Sequence, residues 1–147
     1  MRLHLPDTNL VAYVLLTLLA LWAVADFIAP FYGPAETGCR VGYVYDGDTV
    51  ELLCGAQRLT ARLQGFDTPE TKEPRCAAEA ALGHAATLRL RALLRGTTPQ
   101  IYRHGHDKYG RDLVTLLLDG QNVGETLIAE GLAHRYSGGT RAGWCEV

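Results

Sequence analysis

The stretch Arg40-Val-Gly-Tyr-Val-Tyr-Asp-Gly-Asp-Thr-Val-Glu-Leu-Leu-Cys54 decides the fold of this chain. Its two halves, Arg40–Tyr45 and Thr49–Cys54, are rich in β-branched, aromatic and aliphatic residues, and Asp46-Gly47-Asp48 separates them. An Asp-Gly pair between two such runs is a strong signal for a β-hairpin. The stretch therefore predicts that the folded domain begins with two antiparallel strands.

Short elements continue on the C-terminal side of this hairpin. Alternating or β-rich runs predict further strands, and helical spacing of alanine and leucine with suitable end residues predicts helices. The predicted strands are Gln57–Gln64, Gln100–Arg103 and Asp112–Leu118, and the predicted helices are Ala77–Arg95 and Asn122–Glu130. The order β-β-β-α-β-β-α predicts a mainly β, α+β domain, a small Greek-key barrel of five strands with helices packed outside.

The first 32 residues differ in composition from the rest. Residues 8–25 carry no charge, and a helix running on to Phe31 is long enough to cross a bilayer, which predicts a hydrophobic N-terminal helix acting as a membrane anchor. A short apolar core before Ala23-Val24-Ala25 is also typical of a cleaved signal peptide, and a buried core helix is a further alternative. We expect residues 1–32 to be the anchor or signal and residues 33–147 to be a folded domain outside the cytoplasm. The domain is then held at the cell envelope by its anchor, or is secreted or periplasmic after cleavage.

Composition limits the class of protein. The chain has 147 residues, 48% of them hydrophobic, and a net charge of −2. This hydrophobic content excludes a disordered or collagen-like chain, and one apolar stretch excludes a polytopic membrane protein. The small negative charge excludes an overall basic field for binding nucleic acid. Any activity on nucleic acid must therefore come from a local site.

The four cysteines, Cys39, Cys54, Cys76 and Cys145, all lie outside the apolar N-terminal stretch. An even number fits two disulfides in an oxidising compartment, although four unrelated buried thiols would also account for it. The sequence alone leaves three possible pairings. A hairpin folded about Gly47 and Asp48 brings Cys39 opposite or nearly opposite Cys54, which favours that bridge and leaves Cys76 with Cys145.

Three polar segments carry the chemistry: Asp46-Gly-Asp-Thr49, Arg62-Leu-Gln-Gly-Phe-Asp-Thr-Pro-Glu-Thr71 and Asp107-Lys-Tyr-Gly-Arg111. Each alone has an ordinary explanation as a turn or a helix cap. Together they provide a more specific set. Asp48 and Asp67 are hard oxygen donors, and the backbone carbonyl of Thr68 and water complete a candidate calcium site.

The same segments supply three further charged groups. Glu70 is a carboxylate able to act as a base, and Arg62 and Arg111 are forked cations suited to bidentate contact with phosphate. Hydrolysis of a phosphodiester needs a cation that polarises the phosphate and activates water, and a base that takes the proton of that water. It also needs groups that stabilise the added charge, which two guanidinium groups provide. The pattern predicts a nuclease.

These segments, in this order and spacing, resemble the staphylococcal nuclease (thermonuclease) family. The similarity runs from Val41 to Tyr136 and includes Leu116-Leu-Leu-Asp-Gly-Gln-Asn-Val123 and Glu130-Gly-Leu-Ala133. The resemblance implies an OB-fold barrel with flanking helices and a calcium-dependent hydrolase that cleaves DNA and RNA. It also implies roles for single residues: calcium ligation by Asp48, Asp67 and Thr68, phosphate binding by Arg62 and Arg111, proton removal by Glu70 and nucleotide contact by Tyr109.

The chain also departs from that family. It lacks strong positive charge, and a short glycine-rich tail ending at Cys145 replaces a third C-terminal helix, so we expect the Cys76–Cys145 bridge to pin the tail near the loop after Glu70. The low charge favours single-stranded DNA or RNA, with bases stacked on Tyr109 or Tyr136, over long duplex DNA. We expect the domain to act as a monomer. The alternatives are a non-catalytic OB-type module that binds nucleic acid, or an envelope interaction domain that binds calcium only for stability.

Overall fold

The computed structural model describes residues 8–28 and 33–145 of the chain. It divides into two compact units, Met1–Gly33 and Pro34–Val147. The first unit contains helix α1, Thr8–Ile28. Within the described residues, no helix combines the length and the apolarity needed to cross a bilayer, so the expected transmembrane helix is not found among them. The predicted end of that helix at Phe31 lies outside the described residues, and the choice between anchor and signal stays a prediction.

The second unit contains a curled, mixed β-sheet with two helices. The helices are α2, Ala77–Leu94, and α3, Val123–Ala129. The strands are β1 Cys39–Val44, β2 Thr49–Cys54, β3 Gln57–Leu63, β4 Phe66–Asp67, β5 Gln100–His106, β6 Asp112–Leu118, β7 Gln121–Asn122 and β8 His134–Arg135.

The main sheet has the order β1-β2-β3-β6-β5, with the short β7 paired to β6. All its pairs are antiparallel except β3 with β6, where Arg62 lies opposite Leu113. A parallel pair needs a crossover connection between its two strands. Here helix α2 lies in that connection, after β4 and before β5. A second, two-stranded sheet joins β4 to β8, so that Asp67 lies opposite His134.

The core lies between the concave face of the sheet and the two helices. Its members are aliphatic residues of β1–β3, β5 and β6, with Phe66 from β4 and residues of α2 and α3. The buried members are Val44, Val50, Leu52, Ala61, Leu63, Phe66, Leu90, Ile101, Val114, Leu116, Val123, Leu127 and Ala133. Burial of this apolar surface stabilises the fold, and close packing of the core fixes the positions of the strand ends. The polar segments that carry the candidate site residues lie at those strand ends.

Most predicted elements are found close to their predicted bounds. Strands β2 and β6 have the bounds that the sequence indicates, β5 extends three residues further, and α2 ends one residue earlier. The α+β class with a curled sheet fits an OB-like fold. The predicted count of five strands covers the long strands only, because the two-residue strands β4, β7 and β8 leave no pattern in the sequence.

Both predicted disulfides are present in the structure. Cys39 and Cys54 are opposite each other in the β1–β2 register and are bridged. Cys76, the residue that caps α2, is bridged to Cys145 in the tail across 69 positions of sequence. The second bridge fixes the described tail to the start of the helix that follows the polar loop.

Candidate active site

The turn between β1 and β2 holds Asp48 in a fixed, buried position. The Asp46 carboxylate accepts the backbone N–H of Asp48 at 3.1 Å, and the Thr49 hydroxyl donates to Asp48 Oδ1 at 2.9 Å. Gly47 is required for close approach, since a Cβ there would lie 2.8 Å from side-chain atoms of Thr68. The turn therefore packs directly against the loop that follows β4.

Arg62 lies between the two predicted calcium-ligand carboxylates. Its guanidinium contacts Asp48 Oδ1 at 2.5 Å and Asp67 Oδ1 at 2.9 Å, and all three side chains are buried. The other Asp48 oxygen accepts the backbone N–H of Thr68 at 3.2 Å. Strand β3 of the main sheet supplies the arginine and β4 of the two-stranded sheet supplies Asp67, so the short connection between these strands brings the two charges together.

Burial and mutual repulsion act on the acidic groups of this cluster. Burial raises the pKa of Asp67 above its ordinary value, and the charge of Asp48 adds to the rise. Arg141 and Arg62 oppose that rise without cancelling it. Burial, followed by the charge of Asp48, also raises the pKa of Asp46. Burial therefore makes ionisation of Asp67 and Asp46 less favourable than in water, even beside the arginines.

The segment 107–111 forms a tight loop that orients Arg111. Asp107 Oδ1 accepts the backbone N–H groups of Tyr109 at 2.8 Å and Arg111 at 3.0 Å, and Oδ2 accepts Nε–H of Arg111 at 2.7 Å. Burial raises the pKa of Asp107, but these hydrogen bonds from Arg111 and Tyr109 outweigh it and leave the pKa below its ordinary value. The Tyr109 ring is 72% exposed, and the Arg111 guanidinium carbon lies 5.7 Å from its centre.

Sequence reasoning missed Arg141, which it placed in a featureless glycine-rich tail. Its guanidinium contacts Glu70 Oε1 at 2.5 Å and Asp67 Oδ1 at 3.2 Å. Burial lowers the pKa of Arg141, but the charges of Asp67 and Glu70 raise it by more. No spacing signal could have found this residue, because its position depends on the distant Cys76–Cys145 bridge.

The predicted site residues converge on connected cavities. A small cavity of about 70 Å³ is lined by Asp46, Asp48, Thr49, Arg62, Thr68, Pro69, Glu70, Arg111 and Arg141. A larger cavity of about 610 Å³ shares Arg62, Glu70, Arg111 and Arg141 with it and adds both predicted nucleotide-contact residues, Tyr109 and Tyr136. Asp67 joins the group through its ion pairs with Arg62 and Arg141.

A buried carboxylate, which sequence reasoning also missed, accepts hydrogen bonds from the backbone of the loop that carries Glu70. Glu79, in the first turn of α2, accepts the backbone N–H of Arg75 at 2.6 Å, and the backbone N–H of Glu70 also points to it. These bonds, led by that from Arg75, lower the pKa of Glu79. Helix and loop also pack tightly, since a Cβ on Gly83 would lie 2.8 Å from the carbonyl oxygen of Pro69.

The predicted ligands, which are carboxylate and carbonyl oxygens, are of the kind that a hard divalent cation binds. Within residues 8–28 and 33–145, no three or more His, Cys, Asp or Glu side chains lie close enough together to hold a metal ion. Asp48 and Asp67 are nevertheless two neighbouring carboxylates, both in contact with Arg62. Two carboxylates, a backbone carbonyl and water are ligands that calcium accepts.

Known proteins are similar to this chain over the part that carries the site. The model of a family described as staphylococcal nuclease homologue matches residues 60–142. Endonuclease YncB of Bacillus subtilis (strain 168) is 38% identical over 91 residues, which cover 60% of this chain and 43% of that protein. An uncharacterized endonuclease of Escherichia coli O157:H7 is 32% identical over 103 residues, which cover 69% of this chain and 63% of that protein. The chain thus spans less than two thirds of the length of these relatives.

Proposed function

The chain belongs to the staphylococcal nuclease homologue family, and we propose that it is a nuclease that hydrolyses phosphodiester bonds in DNA, RNA or both. One observation carries the proposal: Asp48, Arg62, Glu70 and Arg111 line a single small cavity, and Asp67 is ion-paired to its wall. A module that only bound nucleic acid would have no need for a carboxylate base beside two guanidinium groups. The names of the two relatives as endonucleases support the same conclusion.

In the proposed reaction the two arginines hold the phosphate. Arg111 is kept in place by Asp107, and Arg62 by the two buried carboxylates, so both guanidinium groups are oriented before substrate binds. Charge that develops on the phosphoryl oxygens is then stabilised by groups that need little reorganisation. This preorganisation is the main contribution of the folded domain to catalysis.

Glu70 takes the proton from the attacking water. It is the one carboxylate of the four lining or adjoining the small cavity that is more than half exposed, with 53% of its side chain accessible, so substrate and water reach it. A base of this kind contributes about 10²–10⁴-fold to the rate. The proton leaves the water as its oxygen attacks phosphorus, and the bond to the leaving oxygen breaks on the opposite side.

Asp48, Asp67 and the carbonyl of Thr68 would hold calcium in this proposal. When bound, the ion supplies positive charge that polarises the phosphate. The proximity of the two buried carboxylates, both in contact with Arg62, supports such a site. The positions of Asp48 and Asp67 at or next to strand ends, beside Arg62, also support it.

Single-stranded DNA or RNA is the proposed substrate. Tyr109, which is exposed, and Tyr136, which is half-buried, line the larger cavity next to the two arginines. Aromatic rings stack unpaired bases without sequence preference. The net charge of −2 provides no general attraction to a long duplex. We propose that the domain works as a monomer.

We also propose that the domain works outside the cytoplasm, attached to a membrane through residues 1–32 or released after cleavage. Two disulfides support an oxidising compartment, because cytosolic thiols are normally kept reduced. The apolar composition of residues 8–25 supports an export segment.

A nuclease assay on the full chain tests the proposed function. Single-stranded DNA and RNA are incubated with calcium or with a chelator, and Glu70→Gln is compared with the unchanged protein. We expect cleavage only with calcium, and a kcat about 10²–10⁴-fold lower in Glu70→Gln with little change in KM, because the variant keeps the shape of the side chain and loses the base.

Glu125→Gln is the matched control, since Glu125 is also an exposed carboxylate paired with an arginine, Arg135, and lines neither cavity. It should retain full activity. Oligonucleotide binding with no product over hours would favour the binding module instead. Equal turnover by Glu70→Gln and the unchanged protein would remove Glu70 from the role of base.

A further inference from the structure

Arg141 occupies a central position that the proposed reaction leaves without a role. Its side chain is 40% exposed, and its guanidinium bridges Asp67, which is buried, and Glu70, the proposed base. A guanidinium has five N–H donors in a planar fork that matches carboxylate and phosphate geometry equally well. The same group is therefore able to exchange a carboxylate partner for a phosphate.

The tail holds Arg141 at this position through contacts on both sides of it. On the N-terminal side, the Tyr136 hydroxyl donates to the carbonyl of Gly139 at 3.0 Å. On the C-terminal side, the buried Trp144 stacks on His134 with 3.8 Å between ring centres, and Cys145 is bridged to Cys76. Anchors at both ends limit how far the arginine can move from the site.

Arg141 and Glu70 also lie between two large cavities. Both line the cavity of about 610 Å³ that contains Tyr109 and Tyr136. Both also line a second cavity, of about 650 Å³, whose other lining residues are Lys72, Glu73, Arg75 and Thr140. The small cavity with Arg62 and Arg111 has the same two residues in its wall. The Glu70–Arg141 ion pair thus lies at the boundary between the two large cavities.

We propose that Arg141 is a third phosphate-binding residue of this site, and that the bound phosphodiester frees Glu70 by taking over the Arg141 guanidinium. The inference rests on the proposed function. An exposed ion pair is worth little, so its exchange for a charged phosphate oxygen has a small cost. Glu70 is then released from its cation at the time when substrate is in place, and it becomes available to accept a proton.

Two variants test this inference by binding as well as by activity. Arg141→Gln and the control Arg135→Gln are compared with the unchanged protein for affinity to a fluorescent single-stranded oligonucleotide, in chelator and over a series of salt concentrations. Arg135 is also an ion-paired surface arginine of the C-terminal region, and it lines none of the three cavities. Both substitutions remove one positive charge.

We expect Arg141→Gln to bind about tenfold more weakly, and the slope of log affinity against log salt to become shallower by about 0.7, the value for one phosphate contact on a single strand. Arg135→Gln should keep the affinity and the slope of the unchanged protein. Thermal melting of both variants checks that the fold is intact. With calcium present, kcat/KM of Arg141→Gln should fall by a similar or larger factor.

Two results would overturn the role of Arg141. One is an Arg141→Gln protein with unchanged affinity and salt slope, and the other is an equal loss in Arg135→Gln, which would indicate a general effect of charge. Either result with an active unchanged protein refutes this inference alone. An unchanged protein that neither binds nor cleaves the oligonucleotide refutes the proposed function, and this inference with it.

Discussion

The charged groups of the site lie in two contrasting environments. Asp48, Arg62 and Asp67 form a buried cluster in which each side chain is less than a tenth exposed. Glu70 and Arg141 form an outer ion pair, 53% and 40% exposed. The same chemical groups, carboxylates and guanidinium groups, are used in both.

The difference in burial gives the two sets different physical roles. A buried ion pair contributes little net stability, but removing one partner leaves an uncompensated charge in a poorly hydrated place. An exposed pair is screened by water and exchanges partners at small cost. We therefore infer that the buried cluster is a fixed framework and that the outer pair is the part that substrate rearranges.

Replacement of the buried arginine should have the largest effect on stability. Arg62→Leu leaves Asp48 and Asp67 facing each other without their shared cation, and we expect the free energy of unfolding to fall by about 3–5 kcal/mol. Urea unfolding at neutral pH measures the loss. Calcium should recover part of it if the ion binds the same two carboxylates, because a ligand of the folded state stabilises that state.

Arg135→Leu is the control outside the site. Its side chain is 70% exposed and that of its partner Glu125 is 45% exposed, so we expect a change within about 0.5 kcal/mol. A loss below about 1 kcal/mol in Arg62→Leu would contradict the distinction between framework and outer pair.

An intermediate effect is expected at Glu79, which supports the outer pair from within the core. Its pKa is lowered by the backbone N–H of Arg75 and further groups, so the ionised form stabilises the folded state. That stabilisation is present above the ordinary pKa of about 4.5 and is lost as pH falls through the lowered pKa of the folded state. We expect Glu79→Gln to melt several degrees lower at pH 7.

Melting curves recorded from pH 7 down to pH 3 test this assignment. The two proteins should converge in melting temperature as pH falls below about 4, because the wild-type carboxylate then begins to lose its charge. A difference that stays constant over this range would show that Glu79 stabilises the fold by packing alone.

The framework could be predicted from the sequence to a large extent. Asp-Gly between two β-rich runs indicated the hairpin, and its register places Cys39 opposite Cys54 as expected. Asp48 and Arg62 lie at or next to the ends of predicted strands, so local signals were enough to locate them. The pairing of β4 with β8, which positions Asp67, was not predicted, because two-residue strands leave no pattern in the sequence.

The outer part of the site could not be predicted in the same way. Arg141 lies 71 positions from Glu70 in a tail of turn-forming residues, and its placement depends on a disulfide and a stacked Trp144. Glu79 appeared as an ordinary helix residue, because its burial comes from the fold of the loop before it. Long-range contacts of this kind leave no periodic signal in a sequence.

The smallest stability effect is expected for the outer pair itself. Glu70→Gln should change the free energy of unfolding by less than about 0.5 kcal/mol, since water replaces the lost partner. Arg141→Gln and the double variant should each lose about 1 kcal/mol, because they also remove a cation from the buried Asp67. Urea unfolding of the four proteins gives the coupling energy between the two side chains, and the same cycle on Glu125 and Arg135, an exposed pair with a 2.6 Å contact, provides the reference. A coupling above about 1 kcal/mol for Glu70 and Arg141, with an ordinary value for the reference pair, would mean that the outer pair is part of the framework. Substrate would then have to break a stable contact before catalysis, and the contrast between the two environments would no longer explain how the base is released.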